Sequence, residues 1–230
     1  GLSYVNLNKY NFAMDAFNKV ISIKESHASS HYNLAGIYES ILDYEKAKYH
    51  YRQAKRNKCN HNDLDLKYGT LLYNMNLFKD AINPFKDYLI LNGSDTNVLK
   101  MLGEIYFKEL RFGESIDVYS KLLEIEPEST FYKKRLGSSY YQLKSYENAL
   151  IYFNQLLLDL EDDTSIMITL ADIYFEIEDY NEAVNFYNKA IECDGKSKKL
   201  LYNLALCYIE LEKYLQAAIN FKQADKYDPN

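Results

Sequence analysis

The chain has 230 residues, 47% hydrophobic and 26% charged, which are the proportions of a folded protein and exclude a disordered one. Only 8 glycines and 3 prolines are present, too few for the many turns of a β-rich fold, so the composition favours helices. The formal net charge of −6 argues against a nucleic-acid partner, because binding to phosphates is driven by basic surfaces.

An aromatic residue recurs every 34 residues from one end of the chain to the other. The series is Tyr10, Tyr44, Phe78, Phe112, Tyr146, Tyr180 and Tyr214. Nine residues before each aromatic stands a small residue, and these are Gly1, Ala35, Gly69, Gly103, Gly137, Ala171 and Ala205. A period that never slips over the whole chain indicates a repeat architecture.

Two helices are predicted in each period, because its apolar residues are spaced three and four apart. In the fourth period the first helical face consists of Leu99, Leu102, Gly103 and Tyr106, and the second of Phe112, Ser115, Tyr119 and Leu122. Small residues such as Gly103 and Ser115 are expected where the two helices approach most closely. A single pair cannot bury its apolar faces, so successive pairs must stack.

The repeating segments, among them LAGIY…DYEKAKYHYRQA and LADIY…DYNEAVNFYNKA, resemble the tetratricopeptide repeat, a 34-residue helix–turn–helix unit. The resemblance implies an all-α fold, a right-handed superhelical solenoid of stacked antiparallel helix pairs. Residues 1–230 would form a single solenoid, with repeats at approximately 1–27 (partial), 28–61, 62–95, 96–129, 130–163, 164–197 and 198–230.

The two ends lack the polar helices that shield the terminal faces of a solenoid. Gly1 falls at the eighth position of a repeat, and Pro229 is followed only by Asn230. We therefore expect either a piece of a longer array or uncapped ends that pack against another protein, including a second copy of the chain.

A peptide-binding groove is what the resemblance implies for positions 2, 5, 9 and 12 of each first helix. These positions supply four aromatic rings and four charged side chains in the central repeats: Tyr73, Phe107, Tyr141, Phe175, Lys100, Lys134, Glu104 and Asp172. Such a surface fits a peptide with apolar anchors and one acidic residue near the two lysines. Packing of the rings against the neighbouring helix is the alternative interpretation, and the sequence leaves it open.

The sequence therefore predicts a scaffold that binds a partner protein or peptide, with no catalytic site, cofactor or metal. The alternative is a regulatory or substrate-recognition arm of an enzyme whose catalytic domain lies outside these residues. No apolar run approaches the roughly 18 residues that span a bilayer. Cys59, Cys193 and Cys207 form no paired motif and favour a reducing, cytoplasmic location, with Cys193 and Cys207 expected to be buried.

Overall fold

The computed structural model describes residues 2–3 and 9–226, so Gly1, Pro229 and Asn230 lie outside the described residues. The described part contains thirteen full helices and no strand. The helices are α1 (Tyr10–Ile23), α2 (Ala28–Ser40), α3 (Tyr44–Arg56), α4 (Leu64–Asn74), α5 (Phe78–Asn92), α6 (Thr96–Lys108), α7 (Phe112–Ile125), α8 (Thr130–Gln142), α9 (Tyr146–Asp159), α10 (Thr164–Glu176), α11 (Tyr180–Asp194), α12 (Lys198–Glu210) and α13 (Tyr214–Ala224). The all-α fold of helix pairs that the sequence predicted is confirmed.

Each aromatic of the 34-residue series is the first residue of a helix, from Tyr10 in α1 to Tyr214 in α13. Two residues before the aromatic the chain turns through a left-handed conformation, with φ between 58° and 65°. The residues in that conformation are Leu42, Asn76, Leu110, Lys144, Glu178 and Glu212. None of them is glycine, although each non-glycine residue in this conformation costs about 1 kcal/mol or more. The short turn that reverses the chain is therefore held by the packing of the two helices that it joins.

The small residues mark the closest approach of the paired helices. A Cβ atom placed on Gly69 would lie 2.7 Å from the ring of Phe85, and one on Gly137 would lie 3.0 Å from the ring of Phe153. Both phenylalanines are buried and stand on the second helix of the same repeat. Glycine is thus needed because the ring of the second helix occupies the place of a side chain on the first.

The chain divides into two compact units, one ending at Glu109 and the other beginning at Leu110. Unit 1 contains helices α1–α6, and its interior includes Ala47, Tyr51 and Leu71. Unit 2 contains helices α7–α13, and its interior includes Phe153 and Leu170. Each unit therefore has helix pairs with a core of their own.

One cysteine prediction is wrong. Cys207 is buried as expected and Cys59 is half-buried, but Cys193 is exposed. Cys193 lies in the last turn of α11, where every residue from 192 to 199 is exposed. The apolar spacing continues into this turn, but the connection that follows is polar and does not cover it.

None of the helices within the described residues combines the length and the apolarity that a bilayer crossing demands.

Candidate peptide-binding site

In unit 1 the predicted groove residues are Tyr73 on α4 and Lys100, Glu104 and Phe107 on α6, all half-buried. The Tyr73 hydroxyl donates a short hydrogen bond to Oε2 of Glu104. The edge of the Tyr73 ring contacts Phe78, the residue that begins the next helix, with 5.6 Å between the centroids. Burial, followed by the bond to Glu104, raises the pKa of Tyr73 to about 12, so this phenol stays neutral and donates its proton.

A lysine of the chain completes this cluster in unit 1. The Lys108 ammonium lies 4.7 Å from the centroid of the Phe78 ring and 5.9 Å from that of Tyr73. A cation over an aromatic face is attracted by the negative potential of the ring. The rings of Tyr73 and Phe78 therefore already have a cation of the same chain beside them.

In unit 2, three of the predicted residues line one open pocket of about 150 Å³. They are Tyr141 on α8 and Asp172 and Phe175 on α10, and Glu176 on α10 joins them. Tyr187 of α11 and Asn203 of α12 complete the polar lining. The fourth predicted residue of this unit, Lys134, does not line the pocket: it is exposed, and its ammonium donates a 3.3 Å hydrogen bond to Oγ of Ser165.

A hydrogen-bond chain through the buried Tyr187 holds the half-buried carboxylate of Asp172. The hydroxyl of Tyr187, which is only 2% exposed, donates a short hydrogen bond to Oδ1 of Asp172. The amide of Asn203 donates in turn to the Tyr187 oxygen at 3.2 Å. Burial raises the pKa of Asp172, although the bond from Tyr187 and the charge of Lys199 act in the opposite direction. The pocket therefore contains a carboxylate whose charge is only partly compensated.

The two aromatic walls of the pocket pack on other rings and remain half-buried. The ring centroids of Tyr141 and Tyr146 are 6.0 Å apart, and those of Phe175 and Tyr180, which pack edge to face, are 5.4 Å apart. Each partner ring is the first residue of the following helix. One side of each ring therefore packs against a neighbouring ring. Contact of the other side with a ligand stays a prediction.

Glu176 and Tyr141 add polar groups at the mouth of the pocket. Glu176 is exposed, and its Oε2 accepts a 3.0 Å hydrogen bond from the Tyr146 hydroxyl. Burial is the main cause of the raised pKa of Tyr141, and the negative charges of Asp172 and Glu176 add to it. The mouth of the pocket is thus acidic.

Sequence reasoning missed Tyr187 and Asn203 as parts of this site. Tyr187 stands at a core position of the repeat, where the ring alone accounts for its place. Its hydroxyl could have indicated a role in the site, because a buried tyrosine normally needs a hydrogen-bond partner.

Two family models match the chain. The model of the tetratricopeptide repeat matches residues 1–27, and that of subunit 3 of the anaphase-promoting complex, or cyclosome, matches residues 125–224. The chain is a tetratricopeptide repeat protein.

Solved structures show the same fold for this tetratricopeptide repeat protein. MamA from Desulfovibrio magneticus RS-1, from residue 41 to its end, is 17% identical, with a TM-score of 0.63 over 72% of this chain and 94% of that one. A second crystal structure of MamA, also 17% identical, has a TM-score of 0.64 over 72% of this chain and 91% of that one. At such identities the likeness extends to the fold alone. The search of curated proteins gave no significant match.

Proposed function

We propose that this tetratricopeptide repeat protein is a non-catalytic scaffold that binds a peptide segment of a partner protein on the first helices of its repeats. The binding residues would be Tyr73, Lys100, Glu104 and Phe107 in unit 1 and Lys134, Tyr141, Asp172 and Phe175 in unit 2. The observation that carries the proposal is the open pocket in which Tyr141, Asp172 and Phe175 come together. Helices α8, α10 and α12 contribute to it, so it requires the stacking of successive repeats.

The pocket suits a single side chain of a peptide. Its volume of about 150 Å³ is well below the roughly 300 Å³ or more of pockets for drug-sized ligands. Tyr141 and Phe175 are already immobilised on one side by Tyr146 and Tyr180. Rings that are fixed before binding lose little conformational entropy when a partner arrives, which favours affinity.

A cytoplasmic location belongs to the same proposal. Cys59, Cys193 and Cys207 are all free thiols. Thiols persist in reducing compartments, whereas disulfides dominate in secreted proteins.

Selection from a random peptide library, followed by affinity measurement, tests the proposed function. Peptides selected on the wild-type chain should lose about tenfold or more in affinity for Tyr141→Ala, because truncation of a central aromatic anchor typically costs more than 1–2 kcal/mol. The matched control is Ile151→Ala on α9, which removes a side chain that is 53% exposed and should leave the affinity unchanged.

Three outcomes would contradict the proposal. The library could yield no binder, or the selected peptides could bind Tyr141→Ala as well as the wild type. A loss of helicity by circular dichroism in Tyr141→Ala would instead assign the ring to packing alone.

A further inference from the structure

We propose that the pocket formed by Tyr141, Asp172, Phe175 and Glu176 receives a basic side chain of the bound peptide, with arginine preferred over lysine. This inference rests on the proposed function and names the chemistry of the partner. It is carried by a comparison of the pocket with its counterpart in unit 1.

The pocket has a counterpart at the same repeat positions in unit 1, two 34-residue periods earlier in the sequence. Tyr141, Asp172, Phe175 and Glu176 correspond to Tyr73, Glu104, Phe107 and Lys108. In unit 1 the Lys108 ammonium lies close to the rings of Tyr73 and Phe78, and the Tyr73 hydroxyl is bonded to Glu104. In unit 2 a glutamate stands where that lysine would be. The surroundings that accept a cation are kept, and the cation of the chain itself is replaced by a second carboxylate.

The groups around Asp172 leave its negative charge available to a cation of a bound peptide. The pocket is faced by Tyr141 from α8, Glu176 from α10, Tyr187 from α11 and Asn203 from α12, and none of these four is a cation. Among the main influences on the pKa of Asp172, Lys199 of α12 is the one basic group. The Lys199 side chain is exposed. An arriving cation would offset the cost of the half-buried carboxylate and find the second carboxylate of Glu176 at the mouth.

Arginine fits this arrangement better than lysine. Its planar guanidinium stacks on aromatic faces and carries five donors, which match two carboxylates and two half-exposed rings. An acidic or purely apolar side chain would leave Asp172 with less compensation than water gives it. The net charge of −6 adds a long-range attraction for a basic peptide.

Arginine-to-citrulline replacement in the selected peptides tests the inference, because citrulline keeps the shape of arginine and removes the charge. The selected peptides should contain a basic residue whose replacement by citrulline, or by norleucine for lysine, lowers the affinity about tenfold or more. Asp172→Asn should cause a similar loss for the arginine peptide and little further loss for the citrulline peptide. Asp117→Asn on α7 is the matched control, because it makes the same change at an exposed aspartate outside the proposed binding residues and should leave both affinities unchanged.

Glu176→Lys provides the most direct variant, since it reproduces the lysine of unit 1 at an exposed position that does not endanger folding. It should abolish the preference for arginine peptides. Lys199→Ala should act in the opposite direction and raise the affinity about twofold, because it removes a competing cation. Acidification should weaken arginine binding at a higher pH than an ordinary aspartate would cause, since burial raises the pKa of Asp172.

The two proposals fail in different ways. If the selected peptides depend on Tyr141 but bind equally well with citrulline, or lack basic residues, the inference is overturned and the scaffold function stands. If Glu176→Lys binds the arginine peptides as tightly as the wild type, the inference is overturned as well. If the library yields no binder, both proposals are wrong.

Discussion

The cluster around Tyr73 in unit 1 and the pocket around Tyr141 in unit 2 occupy the same repeat positions, yet the acidic residue has a different hydrogen-bond partner in each. In unit 1 the tyrosine hydroxyl bonds to Glu104 of the next repeat. In unit 2 the corresponding acid is Asp172, which bonds to Tyr187 instead, and a pocket separates it from Tyr141. Aspartate is one methylene shorter than glutamate, so its carboxylate does not extend as far toward the preceding repeat.

The two units share a backbone frame and differ in the side chains of the candidate site. The backbone frame is shared, because Gly69 and Gly137 accept the rings of Phe85 and Phe153 in the same way. At the positions of Glu104 and Lys108 in unit 1, unit 2 has Asp172 and Glu176, so two of the side chains that differ are those that carry charge in the candidate site. Substitutions at equivalent positions of the two units can therefore separate effects on the fold from effects on the candidate site.

The largest difference expected between the units is in their response to acid, because all four histidines lie in unit 1. The Nδ1 atoms of His31 and His50 are 2.9 Å apart, and Nε2 of His31 lies 2.9 Å from the backbone oxygen of Glu25. Tyr38 stacks on His50. Burial, followed by the proximity of His31, lowers the pKa of His50 to about 4.

A lowered histidine pKa stabilises the fold above the unfolded pKa of about 6.5 and loses that contribution as the pH falls toward 4. The free energy of unfolding should therefore drop by about 2 kcal/mol between pH 7.5 and 5 beyond the effect of the carboxylates. Hydrogen exchange should show the loss in unit 1. His50→Asn keeps a polar atom near Nδ1 and removes the titration, so an equal acid response in this variant would contradict the assignment.

Alanine substitution at the two glycines of the frame should give the next largest effect. Gly69→Ala should cost about 1–3 kcal/mol in the free energy of unfolding and more than Gly137→Ala, because the added Cβ would lie 2.7 Å from Phe85 but 3.0 Å from Phe153. Denaturant midpoints measure both. The control is Gly113→Ala in α7, where a Cβ meets nothing within 4 Å and alanine favours the helix. A loss at Gly113 as large as at Gly69 would show that packing against the ring is not the cause.

The sequence predicted the frame better than the site, for a physical reason. Period and spacing determine which residues of a helix face the core, so the places of Gly69 and Gly137 followed directly. The left-handed turns at Leu42 and Leu110 gave no signal, because neither residue favours that conformation and tertiary packing imposes it. The rings of Tyr141 and Phe175 were placed on one helix face by spacing alone.

The polar connections of the site could not be predicted in the same way. Whether Asp172 bonds to Tyr187 or to Tyr141 depends on side-chain length and rotamer, and repeat position does not determine either. The exposure of Cys193 has a similar origin, since a helix pattern does not tell where the neighbouring helix stops. Spacing predicts which face of a helix a residue occupies, but its hydrogen-bond partners depend on the three-dimensional structure.

Removal of one hydroxyl should distinguish Tyr73, which is bonded to Glu104, from its counterpart Tyr141. Tyr73→Phe should cost about 1–2 kcal/mol, because it deprives half-buried Glu104 of a donor. Tyr141→Phe should change the free energy of unfolding by less than about 0.5 kcal/mol, because no hydrogen bond of its hydroxyl is seen among the described residues. Thermal or chemical denaturation of the pair measures the contrast, and equal losses would mean that the two tyrosines are held alike.

The smallest chemical change, and the sharpest test of the comparison, is Asp172→Glu. The added methylene should let the carboxylate reach toward Tyr141 as Glu104 reaches Tyr73, so the pocket closes while its charge stays the same. Stability should fall by about 1 kcal/mol, because the buried Tyr187 hydroxyl loses its acceptor while the Tyr141 hydroxyl gains one. Affinity for arginine peptides should fall severalfold, measured by isothermal titration. If affinity were unchanged, acidity alone would attract the peptide. The open shape of the pocket would then have no part in recognition.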